Sequence, residues 1–232
     1  MVRPLLLTLL FTACTTTQVF IPVEDRPRLE RQWVGEDRFL KVSCFSTPFF
    51  GDATKKLLTP VDPSQVRLLD NPDGTPIDPG AIETTFPAGT RVRIKKVEFP
   101  SALTMAERVL ITPRTLVWIF LDLAGTSKTA PPQVLVLRPG IKDSTEFLTE
   151  VERYLTSENP APRLAAFSDG VRAAVVAKKA IPDMPAEALE MAWGYPERKR
   201  ITFDGERKEE TWTWPGNKRV ARLVDGRVTE LR

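Results

Sequence analysis

The sequence predicts an α+β protein in two parts, and three observations carry that prediction. Short apolar runs separated by turn residues fill residues 33–140, the pattern of a β-rich domain. Helical spacing begins only near Asp143 and Ser144 and continues to about Met191. Beyond Arg198, short alternating segments broken by Asp-Gly pairs return, the pattern of antiparallel strands. Composition fits a folded chain, since 42% hydrophobic and 27% charged residues are ordinary globular values. The 21 prolines favour loops and short elements over long helices.

Along the chain, Leu5 to Phe11 form an apolar run with Arg3 as the only charge before it. The run is too short for a spanning helix, which needs about 20 apolar residues, and it suits the core of a signal peptide. Phe11-Thr12-Ala13-Cys14 followed by three threonines resembles a bacterial lipoprotein signal, in which small residues precede a cysteine that is lipidated and becomes the mature N-terminus. The usual pattern prefers Leu three places before the cysteine, where Phe11 stands here. That resemblance makes residues 1–13 a signal peptide, Cys14 the lipidation site and residues 14–32 a tether. Thr15 after the cysteine implies the bacterial outer membrane, with the chain facing the periplasm. A soluble secreted protein is the alternative. Diacyl and N-acyl chains on Cys14 would bury enough CH2 groups, at about 0.8 kcal/mol each, for stable anchoring.

Within residues 33–140, Phe39 to Phe45 is strand-like and holds Cys44, which a buried apolar site explains better than catalysis. Val66 to Leu69 runs into the turn signal Asp70-Asn71-Pro72-Asp73-Gly74. Thr90 to Val97 alternates, with Val92 and Ile94 inside and Arg91, Arg93 and Lys95 outside. Leu116 to Leu123 is a continuous apolar run, expected as a central strand, and Val134 to Leu137 is another. The Pro-Ala-Gly-Thr turn at 87–90 before a strand is similar to that of small SH3-like barrels, which implies such a barrel here. Residues 141–164 are expected as a helix and linker, with Ser144 as cap, apolar positions up to Leu155, and a break at Asn159-Pro160.

Residues 163–180 are Ala- and Val-rich and helical, stopped by Pro182. A second helix is expected after Met184-Pro185, ending at Gly194. Three or four short strands follow, the last pair joined by Asp225-Gly226. Met184, Leu189, Trp193, Gly194 and Pro196, then Trp212 and Trp214, then Gly226 and Val228, resemble the pattern of the small BamE/SmpA/OmlA lipoproteins. Asp183 and Pro185 stand where that pattern has Gly and Thr. The resemblance covers residues 165–232 and implies a two-layer domain of two helices packed on a three-stranded antiparallel sheet. It also implies an envelope scaffold that supports outer-membrane protein assembly and does no chemistry.

Function classes narrow further. With no histidine there is no Ser-His-Asp triad, Cys-His pair or His-ligated metal, and two cysteines exclude a zinc cluster. Ser144 and Ser168 lack the surroundings of a hydrolase nucleophile, and Gly125-Thr126-Ser127-Lys128 lacks Walker A spacing. No enzyme, cofactor or metal is therefore expected. Thirty-three basic residues against 30 acidic ones leave a net charge of +3, so nucleic acid is not expected as a partner. The membrane, through the anchor, and outer-membrane or periplasmic proteins are. Candidate binding residues are Arg198, Lys199 and Arg200, a basic run suited to anionic headgroups, and Trp214, beside Pro215-Gly216, which suits either packing or a recognition face. The other functional reading is a periplasmic module that recognises cell wall or peptide through residues 33–140.

Overall fold

A computed structural model describes residues 19–127, 129–215 and 218–232. The signal segment 1–13 and Cys14 lie outside the described residues, as do Lys128 and Gly216. Among the described residues the architecture is mixed α+β, with six α-helices and two sheets, of eight and four strands. In chain order the elements are α1 (Arg26–Trp33), β1 (Asp37–Leu40), β2 (Cys44–Phe49), β3 (Asp52–Thr59), β4 (Thr84–Phe86), β5 (Arg91–Glu98), α2 (Ala102–Glu107), β6 (Trp118–Leu123), β7 (Gln133–Val136), α3 (Ser144–Glu152), β8 (Leu155–Thr156), α4 (Ala161–Ala166), α5 (Asp169–Val176), α6 (Ala186–Trp193), β9 (Arg198–Asp204), β10 (Arg207–Thr213), β11 (Val220–Val224) and β12 (Arg227–Leu231).

The large sheet has the order β4-β2-β3-β7-β6-β5-β1-β8. Its pairs are antiparallel except β3 with β7. The expected small SH3-like barrel gives way to this larger sheet, whose order ends at β4 and β8. Strand β6 is central as expected, and β5 alternates as expected, with Val92 and Ile94 buried. A bulge between Ile94 and Lys96 resets the alternation, so Val97 also points inward. One core, with Ile94, Ile119, Leu121 and Leu135, lies under α1 and α3. A smaller one packs Phe49, Leu57, Leu116 and Trp118 on the opposite side of the strands.

Two expectations for the connecting segments are corrected. Residues 19–32 are no tether, because their apolar side chains are used. Val19 bridges Ile141, Ile21 is buried, and Leu29 and Trp33, one helical turn apart, seat α1 on the sheet. Arg26 fixes the entry by donating to the carbonyls of Ile21 (3.1 Å) and Pro100 (2.8 Å). The 141–164 segment is likewise more than helix and linker. Helix α3 is capped by Asp143, whose carboxylate accepts from Glu146 N, rather than by Ser144. It stops at Glu152, and Leu155 and Thr156 become β8, paired with β1.

Between β5 and β6 the chain makes an excursion over residues 99–117, held from inside by Arg108. Its guanidinium donates to Glu98 Oε1 (2.8 Å) and to the carbonyls of Arg114 (2.6 Å) and Leu116 (2.9 Å). It also stacks 3.8 Å from the centre of the Trp118 ring. Burial would raise the Glu98 carboxyl, but hydrogen bonds from Lys96 and Arg108 outweigh it and hold the group below its ordinary range. Arg108→Met leaves Glu98 with Lys96 alone and takes the side-chain donor from the carbonyls of Arg114 and Leu116, and is expected to cost about 2–4 kcal/mol in urea unfolding. Leu110→Ser, at the exposed tip of the same excursion, is expected to change stability by no more than about 0.5 kcal/mol.

Candidate functional site

The C-terminal unit is built where two helices end. Helix α5 stops at Val176 and α6 at Trp193, and although Val176 itself is exposed, Val175, Met191 and Ala192 in the last turns are buried, so their carbonyls need donors from elsewhere. Ser43, between β1 and β2, supplies two: its N donates to Met191 O (2.7 Å) and its hydroxyl to Val175 O (2.8 Å). Lys178 supplies another, its ammonium donating to Ala192 O (2.7 Å) and to Ser43 O, with the Phe45 ring 5.0 Å away. Trp214 Nε1 closes the set at Gly194 O (3.0 Å). Lys178 occupies the left-handed region, φ +54°, just past a helix end, where glycine is the usual residue. Its side chain is what the position requires. Burial pulls the Lys178 amine down to about 8 against the attraction of Cys44, and burial pushes the neighbouring Cys44 thiol up to about 12.

The expectation for the tryptophans resolves to packing. Trp214 is 2% exposed and meets Trp193 edge to face, with ring centres 5.0 Å apart. It offers no recognition surface, which corrects its candidacy as a binding residue. Trp212, buried beside it, donates to Glu210 Oε2 (3.0 Å). The sheet itself corrects the resemblance: it has four strands, β12-β11-β10-β9, rather than three. Helices α5 and α6 cover the face that carries Trp212, Trp214, Ala221 and Leu223.

Arg198, Lys199 and Arg200 do come together, on β9, the outermost strand, and all seven of its residues are exposed. They do not share one face. Lys199 lies on the helix side, over the Trp212 ring at 3.8 Å and paired with Glu190 of α6. Arg198 and Arg200 lie on the other face, opposite Thr213 and Thr211, with no ion pair to a described residue. Ile201 and Phe203 extend beyond the helices and stand 47% and 70% exposed.

The basic residues of β5 behave differently. Asp37 on β1 takes Arg91 at 2.6 Å, and Asp122 on β6 takes Lys95 at 3.3 Å. The Arg91 hydrogen bond, more than the burial that opposes it, draws the Asp37 carboxyl below its ordinary range. These pairs line an open cleft of about 510 Å³ that also includes Ser127 and Gln133. A second cleft, of about 270 Å³, separates the two units and is lined by Lys41, Glu158, Arg163, Glu187, Glu190 and Tyr195. No group of three metal-ligating side chains occurs among the described residues, and no described helix is long and apolar enough to cross a membrane. Sequence reasoning missed Ser43, and it placed Lys178 with Lys179 at the C-terminal end of the 163–180 helix without finding its bonds to Ser43 and Ala192.

Lys178→Met strips donors from Ser43 O and Ala192 O and is expected to cost about 2–4 kcal/mol. It should also change the pH response. The folded amine titrates near 8 and the free amine near 10.5, so the folded state binds fewer protons and stability rises with pH above 8. Above pH 9 the buried Cys44 thiol keeps a proton that the unfolded chain loses, which opposes the rise. Denaturant titrations from pH 8 to 9 should therefore show a gain of roughly 1 kcal/mol in the wild type and none in Lys178→Met. Comparison of the chain with protein families, with curated proteins and with solved structures finds no match in any of the three.

Proposed function

We propose that this protein is a lipid-anchored envelope scaffold or adaptor, held through Cys14 at the periplasmic face of a bacterial outer membrane and assisting envelope integrity or outer-membrane protein assembly. The observation that carries the reading is β9. Arg198 and Arg200 stand on a helix-free sheet face without acidic partners among the described residues, whereas the basic residues of β5 are matched by Asp37 and Asp122. A lasting positive surface on a rigid sheet suits anionic headgroups, each basic residue adding about 1 kcal/mol close to such a surface. The resemblance of residues 165–232 to the BamE/SmpA/OmlA lipoproteins, and of residues 11–17 to a lipoprotein signal, supports the same compartment. A scaffold role fits a site that offers charge and backbone edge rather than converging acids and bases.

A second reading is a binding module for cell wall or peptide through residues 33–140, and the 510 Å³ cleft over β5 and β6 is the observation in its favour. Sedimentation with purified peptidoglycan separates the two.

The test uses the chain with Cys14→Ser, so that no lipid contributes. It should bind vesicles containing anionic phospholipid, and Arg198→Gln with Arg200→Gln should weaken that binding by about thirtyfold, two residues at about 1 kcal/mol each. Binding should fall with added salt. Unchanged affinity in the double variant would overturn the headgroup role.

A further inference from the structure

The outer edge of β9 carries a symmetry that its basic character hides. Lys208 N and O both face β11, since its O accepts from Asp225 N (2.9 Å) and its N donates to Asp225 Oδ1 (3.0 Å). Lys208 is paired with Phe203, so that pair exchanges no ladder bonds, and alternation along an antiparallel pair settles the rest. Arg198, Arg200, Thr202 and Asp204 bond to β10. Lys199, Ile201 and Phe203 turn their N–H and C=O groups to the open edge. The tight two-residue turn after Asp204, with Gly205 at φ +61°, agrees with this phase.

We propose that β9 pairs antiparallel with β9 of a second copy of this chain, about a two-fold axis at Ile201, joining the two four-stranded sheets into one of eight. In that register the three residues with free backbone groups meet one another: Ile201 faces Ile201, and Lys199 faces Phe203 in both directions, completing six backbone hydrogen bonds. The side chains agree with the backbone. Arg198 falls opposite Asp204 of the second copy, twice, on the helix-free face, at the closer non-hydrogen-bonded positions. Arg200 falls opposite Thr202. On the other face the exposed Ile201 and Phe203 of each copy cover one another, and a lysine sits beside each phenylalanine. A parallel pairing in register would stack Arg198, Lys199 and Arg200 against themselves. The run of three cations, three neutral residues and one anion repels most strands, which is how edges are usually protected, yet it complements its own reverse. The pairing also sets two copies of Arg198 and Arg200 on one continuous face. It does not depend on the lipid anchor or on headgroup binding, which vesicle assays report separately.

Sedimentation equilibrium on the full chain with Cys14→Ser should give twice the 26.1 kDa chain mass as concentration rises. Asp204→Arg alone and Arg198→Asp alone, each placing like charges across the axis, should weaken association more than tenfold. The two together should restore it, with circular dichroism unchanged throughout. Hydrogen exchange on the wild type should show the Lys199, Ile201 and Phe203 amides protected as dimer forms, with Arg200 and Thr202 independent of concentration. A chain that stays monomeric, association unaffected by the single reversals, or Ile201 protection that appears only when poly-glutamate is added to a monomer would each overturn the proposal.

Discussion

Every polar atom of Ser43 is bonded: its N to Met191 O, its hydroxyl to Val175 O and from Ala88 N, and its carbonyl to the Lys178 ammonium. These are the bonds on which the C-terminal unit depends. The last turns of α5 and α6 carry the buried residues Val175, Met191 and Ala192, and a buried acceptor without a donor costs about 1–3 kcal/mol. Helices α5 and α6 solve this jointly, by aiming their last turns at one serine from the large sheet and one lysine from their own connection. The ammonium also lies at the negative end of α6, on Ala192 O, where a cation is favoured. What fixes the helices thus also fixes the two sheets relative to each other.

The consequence reaches the surface strand. With α6 clamped by Ser43 and Lys178, Gly194 can receive Trp214, and Trp214 in turn packs Trp193 and Trp212 into one aromatic layer. Lys199 stacks on Trp212 and pairs with Glu190, which ties the start of β9 to that layer. The remainder of β9 projects beyond the helices but hydrogen-bonds along its whole length to β10. A charged edge is therefore carried on a packed aromatic base.

Much of this was legible where local chemistry and tertiary context agree. The alternation from Arg91 to Val97, the apolar run ending at Leu123, Pro185 opening a helix and Gly194 closing it are all local signals, and the structure follows each. The parts that were not legible depend on distant partners. Strands β2 and β3 contain Pro48 and the polar run Asp52 to Lys56, and only the pairing with β4 and β7 makes them strands. Residues 19–32 read as part of a tether because Val19, Ile21 and Leu29, in a stretch of mixed charge with no clear period, show no benefit until the sheet beneath them is known. In the candidate site, the basic run at 198–200 was visible, but its division between two faces was not. Trp214 looked accessible beside Pro215-Gly216, and the carbonyl that buries it lies on another element.

The central claim is that the Ser43–Lys178 junction makes the two sheets one cooperative unit. Native-state hydrogen exchange of the full chain measures this most directly, by comparing slowly exchanging amides in β6 and β7 with those in α6 and β10. The account predicts one shared opening free energy for both sets, and two separate values after Ser43→Ala combined with Lys178→Met. Two distinct values in the wild type would contradict it.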